Sequence, residues 1–332
     1  MVALLLGLRP HAVQAQPLMH DADWQRLQAD DIELLFPQGY QSIAEQCLRW
    51  TQEILALLEP VFGWRPRSLT VILSDGADTH NGYATIFPKP IIQVDLYPPD
   101  PRSTIYSPDY LRQVLIHELA HIMQLDQNDQ VRETFRQIFG TVLPSRGDLL
   151  SVLVALLTLP GNATAPAWFL EAGAQWAETE WGMRGRGEAA LTAATLRALV
   201  LAGRVPAVDQ AVFVAPDWPW GNMPYLWGLA VARAWQQEWA EQALAASESA
   251  ARPSLIGRLT QAQAGAIPGW FEALTQDELG SWISAAWNRA TTRIVAEQRN
   301  IAARLTELEP FTPYATLSPS GWTVRGPHVS VD

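Results

Sequence analysis

Val114-Leu115-Ile116-His117-Glu118-Leu119-Ala120-His121-Ile122-Met123 is the stretch that most narrows what this chain can become. It contains no Gly or Pro, and apolar residues flank its polar ones, so it reads as a helix. Residues four apart on a helix lie one above the other on the same face. His117 and His121 can therefore aim two imidazoles at one point, with Glu118 beside them. Two ring nitrogens and a neighbouring carboxylate are what a catalytic zinc ion uses: two ligands, and a base for its bound water. The same spacing also arises in a helix that simply buries two histidines, so the pattern needs support from elsewhere in the chain.

Two imidazoles and a water leave such an ion one protein ligand short. The other histidines are His11, His20, His80 and His328. Three of these lie near the ends of the chain, and His80 reads as a surface turn residue. A carboxylate is the better candidate. Pro166-Ala167-Trp168-Phe169-Leu170-Glu171-Ala172-Gly173-Ala174-Gln175-Trp176-Ala177-Glu178 reads as a helix from Trp168, with Glu171, Gln175 and Glu178 on one face. A carboxylate among Ala and Trp is costly to bury unless it is paired or metal-bound.

Together, His117-Glu118-x-x-His121 and Trp168-x-x-Glu171-x-x-Ala174-x-Trp176-x-Glu178 resemble the gluzincin metallopeptidases, the clan of thermolysin and aminopeptidase N. In the aminopeptidase branch the second motif is Trp-x-x-Glu-Gly-x-Ala-x-Tyr-x-Glu, and its first Glu is the third zinc ligand. The resemblance thus implies a Zn2+ site of His117, His121 and Glu171, with Glu118 as general base. Ala172 stands where the family has Gly, and Gly173 follows one place later. Tyr225-Leu226-Trp227-Gly228 is similar to the Tyr-x-x-Gly segment whose tyrosine hydroxyl stabilises the oxyanion, which implies a catalytic role for Tyr225. Packing of Tyr225 among Trp218, Trp220 and Trp227 is the alternative. Gln175 and Glu178 are candidates to contact the ligands from behind.

The surrounding chain alternates strand and helix. Ile32–Phe36, Ser68–Leu73 and Ile91–Leu96 read as strands, and Ser42–Phe62 as an amphipathic helix with Ile43, Cys47, Trp50, Ile54 and Leu58 on one stripe. Asn81-Gly82 marks a turn. The strand from Ile91 to Leu96 is expected at the sheet edge, where an extended peptide could pair with it. A helical insertion, Gln130 to Leu159, is expected between the ligand-bearing helices. Ala189–Ala202, Tyr225–Ala246 and Trp282–Leu308 show helical periodicity. The expected fold is α+β and zincin-like: a small mixed sheet with the metal helix (16–126), then a mainly helical lobe carrying the third ligand (127–309). Most of the 15 Trp belong to the core, and Trp218 and Trp220 could line substrate subsites.

A net charge of −11 argues against a nucleic-acid partner, because neutralising phosphates takes clustered Lys and Arg. Cys47 is the only cysteine, so no intramolecular disulfide can form. Val2–Leu8 is an apolar run followed by Val13-Gln14-Ala15, which fits a cleavable leader over 1–15 and export to a periplasm or the cell exterior. No run reaches the roughly 18 apolar residues of a membrane span. Leu149 to Leu159 is apolar but shorter, a buried helix or a peripheral membrane contact. Residues 310–332 read as the opening strands of a β-domain. Ser318-Pro319-Ser320-Gly321 resembles the blade turn of the TolB-like β-propellers that follow such domains in exported bacterial proteins. Two functions follow as expectations: a zinc peptidase acting on peptide or protein substrates, or a binding module with a vestigial or structural metal site.

Overall fold

The computed structural model of the chain describes residues 22–76, 82–99, 109–127, 130–143, 145, 148–182, 185–211, 221–245, 255–260 and 280–308. The expected leader, His11, His20, His80, Asn81, Trp218, Trp220, His328 and the expected β-segment 310–332 fall outside these residues.

Strands β1 (Trp24–Ala29) and β2 (Ile32–Pro37) form an antiparallel hairpin. Asp30 turns the chain at φ 49°, a left-handed conformation that Asp tolerates better than most residues. β2 turns Ile32, Leu34 and Phe36 into the core, the period-two pattern of a strand with one covered face. Helix α1 (Gln41–Phe62) follows and ends at Gly63, whose φ of 65° closes the last turn. It leads to β3 (Leu69–Ser74), which runs parallel to β2. β4 (Gly82–Thr85) and β5 (Ile91–Asp95) complete the sheet, with β5 parallel to β3 and β4 antiparallel to β5. The strand order is β1-β2-β3-β5-β4, a mixed five-stranded sheet in an α+β, mostly helical chain.

The expectation of Ile91–Leu96 as the edge strand is corrected. β5 is paired on both sides, and β4 takes the edge. β4 escapes detection because it is four residues long and none of them is fully buried, so it has no apolar alternation. β1 is missed for the same reason: only hydrogen bonds to β2, not a buried face, mark Trp24–Ala29 as a strand.

Helix α2 (Tyr110–Leu125) carries His117 and His121 and packs beneath β4 and β5 and against α1. α3 (Gln130–Phe139) and α4 (Leu149–Thr158) form the helical insertion. Then come α5 (Ala167–Trp181), α6 (Ala190–Leu201), α7 (Met223–Ala245), the short α8 (Leu255–Thr260) and α9 (Ile283–Thr306). Among the described residues, no helix is long and apolar enough to cross a membrane.

Two apolar clusters meet at α5. One joins the sheet to α1 and α2 and includes Ala172, Ala174 and Ala177 from α5. The other is built from α5, α6, α7, α8 and α9 around Trp168, Trp227, Trp235 and Trp287, all within 1% of full burial. Trp168 makes edge-on contacts with Trp235 and Trp287, their ring centroids 5.5 and 5.0 Å away, an arrangement the aromatic quadrupole favours. Clamped on both flanks, α5 presents Glu171 from a rigid support.

Candidate metal centre

Close helix crossings bring the site together. A Cβ on Gly173 would lie 2.3 Å from the Gln124 amide nitrogen of α2, and one on Gly228 would lie 2.2 Å from the Trp168 carbonyl oxygen of α5. At Gly228 the obstacle is backbone, so only glycine lets α7 pass this near to α5; at Gly173 it is the end of the Gln124 side chain, which any larger residue would have to displace. The displaced glycine of the second motif thus has a reason here: position 173 faces α2, and Ala172 packs towards Gly228 of α7. Tyr225, one turn before Gly228, is carried with it to the metal-ligand face of α5. On the opposite side β4 runs over α2, and a Cβ on Gly82 would strike Val114 and Glu118 at 2.5 and 2.6 Å.

These crossings leave a cleft of about 350 Å³, lined by β4, α2, α5, Arg186 and Tyr225. At its floor His117 Nε2 lies 3.1 Å from His121 Nε2. Glu171 Oε2 lies 3.4 Å from His117 Nε2 and 3.5 Å from His121 Nε2. Around a tetrahedral ion with bonds of about 2.0–2.1 Å, ligand atoms sit about 3.3 Å apart. The three edges of this triangle match that spacing. Glu171 Oε2 is also buried with no hydrogen bond to satisfy it, which a cation between the three atoms would do. A buried His-His-Glu group able to hold a metal ion is therefore present. Its two imidazoles disfavour magnesium and calcium, which take oxygen ligands.

The chain matches no family model and no curated protein.

Behind the triangle, Glu178 Oε2 lies 3.2 Å from His117 Nδ1. Arg186 Nη2 lies 2.8 Å from the same nitrogen, so Glu178 and Arg186 together hold the ring, and a proton carried on Nδ1 by a histidine that binds metal through Nε2 would go to Glu178, the acceptor of the two. Glu178 is 1% exposed. Its burial is offset by Arg186, whose Nε donates to Oε1 at 2.7 Å and whose Nη2 donates to Oε2 at 3.1 Å; the Arg186 backbone N–H adds a third bond at 3.1 Å. Gln175 is also buried, but no hydrogen bond among the described residues joins its side chain to the ligands, and its Oε1 has no partner.

Arg186 is the site residue that motif reasoning misses. It sits in a one-turn 3₁₀ helix, Arg186–Glu188, which folds back on the end of α5. Flanking glycines permit this: a Cβ on Gly185 would meet the Thr179 backbone at 2.5 Å, and one on Gly187 the Thr179 hydroxyl at 2.6 Å. The available signal was indirect. A glutamate expected to be buried needs a counter-charge, and Arg184 and Arg186, set among glycines, are the nearest cations along the chain. The Arg186 guanidinium also lies 5.5 Å from the centre of the Tyr225 ring, within cation–π range.

Charge is unevenly held here. Burial and Arg186 each disfavour protonation of His117, but Glu171 and Glu178 outweigh them and push it up to about 9 in the metal-free protein. Burial would raise Glu171, yet the two imidazoles overcome it and hold the carboxylate well below its usual range. Glu118 is different. Burial raises it, and Glu171 adds to the rise against the opposing pull of His117, His121 and Arg186. Burial, then the Glu171 carboxylate, push the Tyr225 phenol far up, so it stays a proton donor at any ordinary pH.

Proposed function

We propose that this protein is a zinc-dependent metallopeptidase of the gluzincin type, with a zincin-like catalytic core. The observation that carries the reading is the triangle of His117, His121 and Glu171 at tetrahedral spacing, with Glu118 on the cleft side of the same helix. Zinc bound there would lower the pKa of its water to about 7 and polarise the scissile carbonyl. Glu118, its proton affinity raised by burial, accepts the proton of the attacking water and passes it to the leaving amine. The Tyr225 hydroxyl lines the same cleft and donates to the oxyanion that develops on the carbonyl. Among the described residues β4 pairs only with β5, and Gly82, Tyr83 and Ala84 border the cleft. Its outer edge is the place for an extended peptide to add by main-chain hydrogen bonds.

A binding module with a purely structural ion has no use for a buried carboxylate of raised basicity beside the ligands, and this favours the enzyme. The test is zinc content together with hydrolysis of a mixed peptide library. The wild type should bind one zinc and cleave. Glu118→Gln should keep the zinc and lose about 10²–10⁴-fold in turnover, whereas His117→Ala should lose both. Full zinc occupancy with no cleavage of any peptide would assign the site to the structural class.

A further inference from the structure

The insertion between the two ligand-bearing helices carries a surface that the metal chemistry does not use. Polar bonds fasten its root. Arg136 joins the Asp126 carboxylate to the Thr141 hydroxyl, and the Thr141 N–H donates to the Pro88 carbonyl. From there the chain runs back along α4: the Val142 N–H meets the Thr158 hydroxyl at the end of the helix, and the Ser145 N–H meets Ser151 near its start. α4 turns Ala155 and Thr158 inward. Its outer stripe is leucine: Leu149, Leu150, Leu153 and Leu156 are 73, 69, 50 and 55% exposed, with Leu157 beside them. Leu143, Ile138 and Phe139 on the adjoining segments are exposed as well. Typical monomers leave apolar patches of only a few hundred Å² open to water, and those that do are often functional.

The chemistry of this face selects its occupant. Arg146 and Asp148 are the only ionisable residues between Gln137 and Ala163, in a chain that is 17% charged. Protein-docking hot spots are anchored by Trp, Tyr and Arg, and leucine is under-represented in them. Although the chain has 15 Trp and 7 Tyr, none lies between Gln130 and Pro160, and of the three arginines there Arg136 is engaged by Asp126 and Thr141. A fluid acyl layer, by contrast, asks for apolar area without specific anchors. With ten residues, α4 is about 15 Å long, half of the roughly 30 Å hydrocarbon core of a bilayer. It can lie in one face of a membrane and cannot span it. A net charge of −11 sets the protein against anionic headgroups, so attraction must come from the leucines.

We propose that α4, with the exposed Ile138, Phe139 and Leu143, forms a membrane-docking surface that inserts into the interface of an uncharged, zwitterionic lipid bilayer. The site is independent of the metal and of the peptidase reading.

Flotation of the full chain with phosphatidylcholine vesicles tests it. The wild type should rise with the vesicles, equally in low and high salt, and less well when anionic lipid is added. Leu150→Glu and Leu153→Glu should each reduce partitioning about tenfold or more, since each removes the burial of one leucine. Both positions are exposed, so thermal unfolding should not change. A second probe avoids any folding ambiguity. Cys47 is fully buried, so Leu153→Cys can be labelled selectively with an environment-sensitive dye, whose emission should shift to the blue on adding vesicles. A protein that stays with the pellet, or floats as well after both substitutions, or shows no shift, overturns the proposal. So does a concentration-dependent dimer abolished by Leu150→Glu without vesicle binding, which would give the face to a second copy of the chain.

Discussion

At the scale of single residues, the unusual feature is a buried carboxylate, Glu178, that touches no metal position yet contacts both His117 and Arg186, which also contact each other. Its contribution would be orientation: it is the acceptor beside His117 Nδ1, from which Arg186 Nη2 lies 2.8 Å, and a proton held there leaves Nε2 to a metal. Glu178→Gln should weaken zinc affinity by about 10–100-fold in a chelator competition, with smaller effect on turnover of the fully loaded enzyme. Arg186→Met should act through stability. It strands a buried carboxylate, a loss of about 3–5 kcal/mol by denaturant unfolding. The double substitution should recover much of that loss, because the stranded charge goes with its partner. Tyr225→Phe separates chemistry from binding. Turnover should fall by about 10²-fold, the scale of one oxyanion donor, with zinc content unchanged. Unaltered turnover would return Tyr225 to a packing role.

At the scale of elements, two glycines govern how near the helices of the site approach: Gly173 where α5 crosses α2, and Gly228 where α7 crosses α5. Gly228 matters most, because the atom its Cβ would strike at 2.2 Å is a backbone carbonyl of α5 and cannot swing aside. Gly228→Ala should push α7 away from α5 and cost about 1–3 kcal/mol of stability, as overpacked interiors do. It should also reduce turnover more than zinc binding. Tyr225 rides on α7 and moves with it, whereas Glu171 and both histidines lie on α5 and α2. A variant with normal stability and activity would mean that the two helices tolerate a wider crossing than the geometry indicates.

Across the whole molecule, metal occupancy, proton binding and stability are linked. With His117 pushed up to about 9 in the metal-free fold, its protonation favours that fold. The contribution is complete below its ordinary value of 6.5 and is lost as pH rises through about 9. Chelated protein should therefore lose stability across that interval. Zinc would bind the deprotonated imidazole, so loading below pH 9 should release a proton and apparent affinity should climb with pH. Thermal unfolding with and without zinc, at pH 6.5 and pH 9, should show the metal-dependent gain growing with pH. With free zinc at 100 times Kd the gain is about 2.7 kcal/mol. A gain that is flat or shrinking with pH would rule out the charge state assigned to His117.

Much of this protein was legible in its residue order. His117 and His121 share a face because any helix puts residues four apart together, and the apolar stripes of α1 and α9 announce themselves by local periodicity. Glu171 could be matched to a known motif. Its convergence on the imidazoles could not be derived, because it depends on how closely α5 crosses α2, a distance set by Gly173 and Gln124. β1 and β4 were hidden because edge strands are held by partners elsewhere in the chain and need no hydrophobic pattern of their own. Arg186 was hidden because an ion pair is a tertiary event: nothing local obliges a Gly-Arg-Gly turn to fold back onto a glutamate one helix end away. Local chemistry chose the groups, and packing between distant segments decided which of them meet.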